Sequence, residues 1–216
     1  HDPQAASLSR WVEGEYGARD IKLPRINLVQ NVGDLPTMGF TAGSFVLNKS
    51  VVLAERGEPL EIVVLRARKQ YQEVVPFPEQ GNTFDTMDEV RKAGGHDVYG
   101  EKGCYRPILH MQVLVKKPDR LDAAEDDDQF IYSFGGASYA LAVFTAGGKT
   151  YTTTAKPFLT AMATNIKLRS SVPAAARWSI TGEASKGAIN TTCRARLHFA
   201  GYNDADVAAA MQELAG

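Results

Sequence analysis

Short runs of alternating apolar and polar residues, separated by glycine and proline, recur along the chain and predict β-strands. The clearest run is Leu60 to Val75, whose first half is β-branched and apolar on both faces, as is typical of a central strand. The stretch at 21–32 is interrupted by Pro24, which favours an edge strand or an irregular entry to one. The remaining predicted strands lie at 44–48 and 50–54 (a hairpin or a bent strand), 108–117, 130–134 and 138–145 (a hairpin), 177–181 and 191–199.

Two segments have helical periodicity. In 149–169 the apolar side chains fall mainly on one side, and Pro157 stands in the first turn, where proline is tolerated. A terminal helix is predicted at 203–214, with Asn203 or Asp204 as the N-cap. Because 76–107 is rich in Gly, Pro, Asp and Asn and has no sustained periodicity, it predicts a long loop, and such loops are often functional.

This order of elements predicts a mainly β fold with a few helices. We expect a polar N-terminal arm at 1–20 and one domain at 21–216. The domain is interpreted as an OB-like Greek-key barrel with a long insertion at about 76–107. A small β-sandwich with α appendages is the alternative, because strand order cannot be read from the pattern.

Composition narrows the class of protein. The 216 residues are 44% hydrophobic and 23% charged, which is ordinary for a globular domain, and the formal net charge is −1, so any anion-binding surface must be local. The two cysteines, Cys104 and Cys193, favour a reducing compartment over a disulfide scaffold. Without a membrane-length apolar run or a signal-peptide core at the start, we expect a cytoplasmic protein; since the chain begins with His1, processing and export stay open.

The segment 193–199, CRARLHF, is the most informative short stretch. A two-residue period places Arg194, Arg196 and His198 on one face and the apolar residues, including Phe199, on the other. An ordinary half-buried strand with a basic solvent face would look the same. A second strand with this character strengthens a binding interpretation.

The strand from Leu60 to Tyr71 provides that second case. Arg66 and Arg68 extend the face of Ile62 and Val64, whereas Lys69 and Tyr71 lie on the opposite face. Guanidinium groups beside aromatic rings are the usual elements of a groove for single-stranded nucleic acid. Further candidates are Tyr99, Tyr105, Arg106 and Lys116, and the two basic strand faces are expected to converge on one concavity. The aromatics Tyr132, Phe134, Tyr139 and Phe144 are interpreted as core.

No stretch matches a catalytic or metal-binding pattern. His96, Cys104 and His110 lie close in sequence but have no fourth zinc ligand, and the acidic run at 125–128 lacks the spacing of a calcium loop. The chain has no GxSxG, and GGKT at 147–150 matches only the end of a phosphate loop. We therefore predict no catalytic residue, no metal and no cofactor, although an active site assembled by folding would not be visible in the pattern.

Several segments together resemble the single-stranded DNA-binding proteins encoded by bacteriophages and prophages. They are PRINLVQ at 24–30, GSFVLN at 43–48, RARKQYQE at 66–73, KPFLTAMATNIKLR at 156–169, WSITGE at 178–183 and a last strand that reaches Phe199. The resemblance implies an OB-like barrel and sequence-tolerant binding of single strands in DNA replication or recombination, without catalysis. It also implies that Arg66, Arg68, Lys69 and Tyr71 line the groove.

One departure concerns partners. Many members of that family end in an acidic tail that recruits replication or recombination proteins, whereas this chain ends in DADVAAAMQELAG at 204–216. The alternative function is a structural or assembly protein, such as a β-rich virion or tail component that forms a homo-oligomer, and the near-zero net charge suits it. An enzyme is the third reading.

Overall fold

The computed structural model describes residues 23–76, 79, 81–121, 128–186 and 191–215. The predicted arm at 1–20 and residues 125–127 of the acidic run lie outside the described residues. Both cysteines are free and buried.

Ten strands form one mixed sheet, curled into an open half-barrel. Eight of them follow the order β10-β9-β4-β6-β8-β1-β2-β3, while β5 pairs with β4 and β7 pairs with β8. All pairings are antiparallel except that of β1 with β8. The strands are β1 Arg25–Leu28, β2 Phe45–Leu47, β3 Val51–Ala54, β4 Pro59–Glu73, β5 Thr83–Phe84, β6 Tyr105–Lys116, β7 Tyr132–Phe134, β8 Ala137–Ala146, β9 Ala176–Lys186 and β10 Thr191–Tyr202.

The helices connect strands or cover the two faces of the sheet. They are α1 Asp34–Thr37, α2 Met87–Lys92, α3 Gly148–Thr150, α4 Lys156–Thr164, α5 Ile166–Arg169 and α6 Ala205–Gln212. A π-helical turn, Tyr151–Ala155, joins α3 to α4, and 3₁₀ turns lie at Pro173–Ala175 and Glu213–Ala215. The predicted helix at 149–169 and the predicted terminal helix are therefore confirmed, the first with a break at Asn165.

Apolar layers lie on both faces of the sheet. On the concave face, Phe158 of α4 packs edge-on against Trp178 of β9, with ring centroids 5.3 Å apart, so the helical segment fills the half-barrel. On the convex face, Met211 of α6 covers a second cluster that includes Val63 and Leu114. Phe144 and Tyr139 are buried, and Tyr132 and Phe134 are partly buried against the second cluster, which confirms the predicted core aromatics.

Side chains, not strand pairing, meet the free edge of β10. The carboxamide of Gln30 donates to the Cys193 carbonyl and accepts from the Cys193 N–H, both at 3.0 Å. Thr150 accepts from the Ala195 N–H at 3.2 Å, and Thr154 donates to the Ala195 carbonyl at 2.8 Å. An edge strand whose backbone groups are satisfied in this way is protected from pairing with another chain.

The short predicted strands are confirmed, and the hairpins follow from their turn residues. Asn48 and Lys49 both have positive φ between β2 and β3, as do Gly135 and Gly136 between β7 and β8, and such turns match the twist of the flanking strands. The edge position predicted for the first strand is wrong, because β1 lies between β8 and β2. Pro24 stands just before β1, so its missing N–H interrupts no ladder.

The predicted long loop at 76–107 contains more structure than its composition indicated. It holds β5 and α2, and β6 begins at Tyr105. Thr86 caps α2: its side chain accepts from the Glu89 N–H, and the Glu89 carboxylate accepts from the Thr86 N–H. This capping box is a sequence pattern that indicates a helix start, so the signal was present in the chain.

Candidate nucleic-acid interface

A β-bulge in β4 decides which way the basic side chains of that strand point. Val64 lies opposite Val113 of β6, whereas Arg66 lies opposite Gln112, so one extra residue stands in β4 at Leu65. Because an extra residue reverses the faces of every residue after it, Arg66 and Arg68 lie on the convex face and Lys69 and Tyr71 on the concave one. The predicted faces beyond Leu65 are therefore wrong.

The bulge aligns Arg66 and Arg68 with polar residues of three neighbouring strands. One row across the sheet is Arg66, Gln112, Val143 and Arg25, and the next is Arg68, His110 and Thr145. Directly opposed residues point to the same side of a sheet, so these side chains share the convex face. With strands about 4.8 Å apart, the first row spans roughly 14 Å between its two arginines.

His110 lies within this group of cations. Burial lowers the pKa of His110, and the positive charges of Arg25 and Arg68 lower it further. Its Nδ1 lies 2.9 Å from the Thr145 hydroxyl. Arg25 and Arg68 therefore both lie close enough to His110 to disfavour its protonated form.

Arg106 extends the cationic surface along β6. It lies opposite Gln72 of β4, six residues beyond Arg66 and therefore roughly 20 Å away at about 3.3 Å per residue. Tyr99 lies against it, with the guanidinium carbon 4.7 Å from the ring centroid, and remains 79% exposed. We call Arg25, Arg66, Arg68, Arg106 and His110 the convex basic face, with Tyr99 at its far end.

His96 fastens the loop that carries Tyr99. Its Nδ1 accepts from the Val98 N–H at 3.2 Å, and its Nε2 lies 3.0 Å from the Lys102 carbonyl. Since the nitrogen that accepts carries no proton, Nε2 is the donor of the neutral ring. Tyr99 is thus presented on a loop with its own internal hydrogen bonds.

A carboxylate holds one arginine of the convex basic face. Arg68 Nη2 lies 2.8 and 2.6 Å from the two carboxylate oxygens of Asp85. Arg66 is exposed and forms no ion pair with any residue in the described ranges. The face therefore combines one paired and one unpaired arginine on the same strand.

The basic face of β10 has a different environment. Arg194, Arg196 and His198 do lie on one side of the strand and Ala195 and Leu197 on the buried side, as the alternation predicted. Glu183, directly opposite Arg194, lies 3.6 Å from the Arg194 guanidinium and 2.8 Å from Arg196 Nε. Phe199, expected in the core, is 45% exposed because a bulge follows it near the end of the strand.

The expected convergence of the two basic strand faces is wrong. Arg196 lies opposite Thr181, which lies opposite Pro59, seven residues before Arg66 along β4. That spacing is roughly 23 Å along the strand. Between the two groups, Met211 of α6 and Ala174 cover Val63 and Leu65. In the described part of the chain the two groups therefore share no trough, and the concave side of the half-barrel is filled by the core.

Four further predicted residues lie away from the convex basic face. Lys69 is on the concave side of β4, where a hydrogen bond to the Tyr71 hydroxyl raises its pKa. Tyr105 is 5% exposed and packs against Phe84, so it cannot serve as a stacking platform. Lys116 lies at the other end of β6, beside a cavity of about 330 Å³ that Glu61 and Arg177 also line.

Arg25 and His110 were missed as binding residues. The signal for His110 is its place in the alternating ILHMQVLV of β6, where it shares a face with Gln112, whereas its nearness in sequence to His96 and Cys104 suggests only a zinc ligand. In the described part of the chain no three His, Cys, Asp or Glu residues form a group able to hold a metal ion. Arg25 joins the face only through the parallel pairing of β1 with β8.

Beyond Arg25 the convex basic face meets a polar cleft of about 310 Å³ where β1 and β8 diverge. Asn27, Gln30 and Thr145 are among its lining residues.

No protein-family model, curated protein or solved structure matches the chain. Within the described ranges, no helix has the length and apolar character needed to cross a membrane.

Proposed function

We propose that this protein binds single-stranded DNA, without base selectivity and without catalysis, on the convex basic face. The observation that carries the proposal is that Arg25, Arg66, Arg68 and His110 come from three different strands to one side of the sheet. Phosphate groups spaced along a strand are the natural counterions of such a row. Binding of this kind serves DNA replication or recombination.

Tyr99 supports a single strand over a duplex as the ligand. An exposed ring offers a stacking surface to an unpaired base, and such stacking contributes roughly 1 to 3 kcal/mol per base. Arg106 orients this ring by lying over its face. Because every base has a π-face, recognition through Tyr99 and phosphates is tolerant of sequence.

The proposed interface lies on the convex side of the sheet and not in the concavity expected from the sequence. Because of their position, burial or ion pairing, seven residues predicted from the sequence do not belong to this interface: Lys69, Tyr71, Tyr105, Lys116, Arg194, Arg196 and His198. The OB-like barrel is part of the proposal too, supported by a strongly curled sheet whose concave side is covered by a helical segment. A cytoplasmic location, a phage or prophage origin and replication or recombination partners belong to the same hypothesis.

Titration of fluorescent oligo-dT at increasing salt tests the proposal. With four arginines in contact with phosphate, the logarithm of the binding constant is expected to fall with the logarithm of salt with a slope of about −2 to −3. Tyr99→Leu is expected to weaken binding at least about five-fold through lost stacking. Phe199→Leu, which removes an exposed ring from β10, is the matched control and is expected to bind as the wild type does.

Two outcomes would contradict the proposal. No salt-dependent binding, together with a stable symmetric oligomer, would favour the assembly alternative. Equal losses in Tyr99→Leu and Phe199→Leu would mean that the ring at the end of the convex basic face has no special place in binding.

A further inference from the structure

Asp85 occupies a position on the convex basic face that is built from hydrogen-bond donors. Arg68 Nη2 lies within 2.8 Å of both carboxylate oxygens, and Gln70 Nε2 donates to Oδ1 at 2.7 Å. Gln70 is two residues from Arg68 and therefore on the same face of β4. The carboxylate thus lies between a guanidinium and a carboxamide that both point out of the sheet.

The donors around Asp85 suit a phosphodiester as well as a carboxylate. Both groups present anionic oxygens to N–H donors at the same distances, and guanidinium groups bind either one. Hydrogen bonds from Gln70 and Arg68 lower the pKa of Asp85, so its carboxylate is ionised under ordinary conditions. The side chain therefore presents to Arg68 the charge and the acceptors that a bound strand would present.

The contact can be exchanged without unfolding the insertion. The Asp85 side chain is 48% exposed, and exposed ion pairs contribute little to stability. The cap of α2 uses the Thr86 and Glu89 side chains, and from Asp85 it engages only the backbone N–H. Release of the carboxylate leaves this cap in place, so the cost of exposing Arg68 and Gln70 is small.

We infer that the Arg68 and Gln70 donors form a phosphate subsite that Asp85 fills in the free protein and a DNA phosphate fills in the complex. This inference rests on the proposed function, since it names one contact within the same interface. It makes Asp85 an internal competitor for the strand. Arg68 then contributes to the binding free energy only the difference between its interaction with a phosphate and its interaction with Asp85.

Asp85→Asn tests the subsite by removing the charge and keeping the shape. We expect oligo-dT to bind this variant about five-fold more tightly, because Arg68 no longer exchanges one anion for another. The salt slope is expected to change little, because Arg68 contacts the same phosphate in the complexes of the wild type and of the variant. Asp88→Asn is the matched control, since Asp88 is an exposed carboxylate three residues further along that pairs with Arg91 and not with Arg68.

The double variant Arg68→Ala with Asp85→Asn separates competition from a general loss of negative charge. If Asp85 acts through Arg68, Asp85→Asn raises the affinity in the wild type and has no such effect when Arg68 is absent. Circular dichroism melts confirm that the variants are folded. The subsite would be overturned if Asp85→Asn and Asp88→Asn changed the affinity equally, or if the gain from Asp85→Asn persisted without Arg68. In either case, salt-dependent binding by the wild type would still support the proposed function. No binding by the wild type or by Asp85→Asn would overturn both.

Discussion

Two arginine pairs stand on the convex side of the same sheet, Arg66 with Arg68 on the central strand β4 and Arg194 with Arg196 on the edge strand β10. On β10 one carboxylate, that of Glu183 on the adjacent strand, contacts both guanidinium groups. On β4 the neighbouring strand presents Gln112 and His110 instead, and only Arg68 has a carboxylate partner, which comes from the insertion. What a strand's cations can bind is therefore decided by the residues of the strand beside it.

The difference predicts unequal losses when each pair is removed, and this is the largest effect expected. Arg66→Ala with Arg68→Ala should weaken oligo-dT binding about 10-fold, since the exposed phosphate contact of Arg66 contributes roughly 1 kcal/mol and that of Arg68 contributes less because Asp85 competes for it, and should reduce the salt slope by about 1.4. Arg194→Ala with Arg196→Ala removes the same charge and should change affinity less than about two-fold. Fluorescence anisotropy at several salt concentrations measures the affinity and the salt slope of both variants. Equal losses of affinity in the two variants would show that the arginines of β4 and β10 do not differ in DNA binding.

The alternation of apolar and polar residues was enough to predict the mainly β class and most of the strands. Runs such as Leu60 to Leu65 become strands because β-branched side chains pack well on both faces of a covered sheet, and the hairpin turns follow from Asn48 and the Gly135-Gly136 pair. The bulge in β4 could not be predicted, because Val63, Val64 and Leu65 are all apolar and the pattern does not show which one is extra. That single residue moved Arg66 and Arg68 to the other face.

The site was harder to predict than the strands for a different reason. Arg25 and His110 meet Arg66 and Arg68 only through the pairing of β4 with β6, β6 with β8 and β8 with β1, which joins segments distant in sequence. Glu183 neutralises Arg194 through the pairing of β9 with β10. Local patterns give the side of a strand on which a cation lies but not the charge of its neighbour across the ladder.

Removal of the shared carboxylate tests why the arginines of β10 are not expected to bind DNA: because they are paired with Glu183, or because of their position on the sheet. Glu183→Gln frees two guanidinium groups, and we expect oligo-dT affinity to rise about three-fold if pairing is the cause. Since the groups are partly exposed, the free energy of unfolding should fall by no more than about 1 kcal/mol in urea titrations. Glu61→Gln, which removes the partner of Arg177, is the control and should leave affinity unchanged. An unchanged affinity in Glu183→Gln would make position, not pairing, the reason for the difference.

The two histidines on these surfaces provide the smallest and most specific test. Burial and the charges of Arg25 and Arg68 lower the pKa of His110, so the folded free protein binds fewer protons than the unfolded chain near pH 6. Its contribution to stability is therefore complete above the ordinary histidine pKa of about 6.5 and is lost as the pH falls below that value. Bound phosphates oppose this effect, because they offset the two arginine charges and let the imidazole take up a proton.

Affinity for oligo-dT should accordingly rise about three-fold between pH 7.5 and pH 5.5, while the unbound protein becomes less stable over the same range. His110→Asn keeps a polar group near Thr145 but cannot be protonated, so its affinity should lose this pH dependence. His198→Asn on β10 should retain it, because His198 is exposed on the other arginine surface. If His198→Asn instead abolished the dependence, the strand would have to bind at β10, and the assignment of the two surfaces would be reversed.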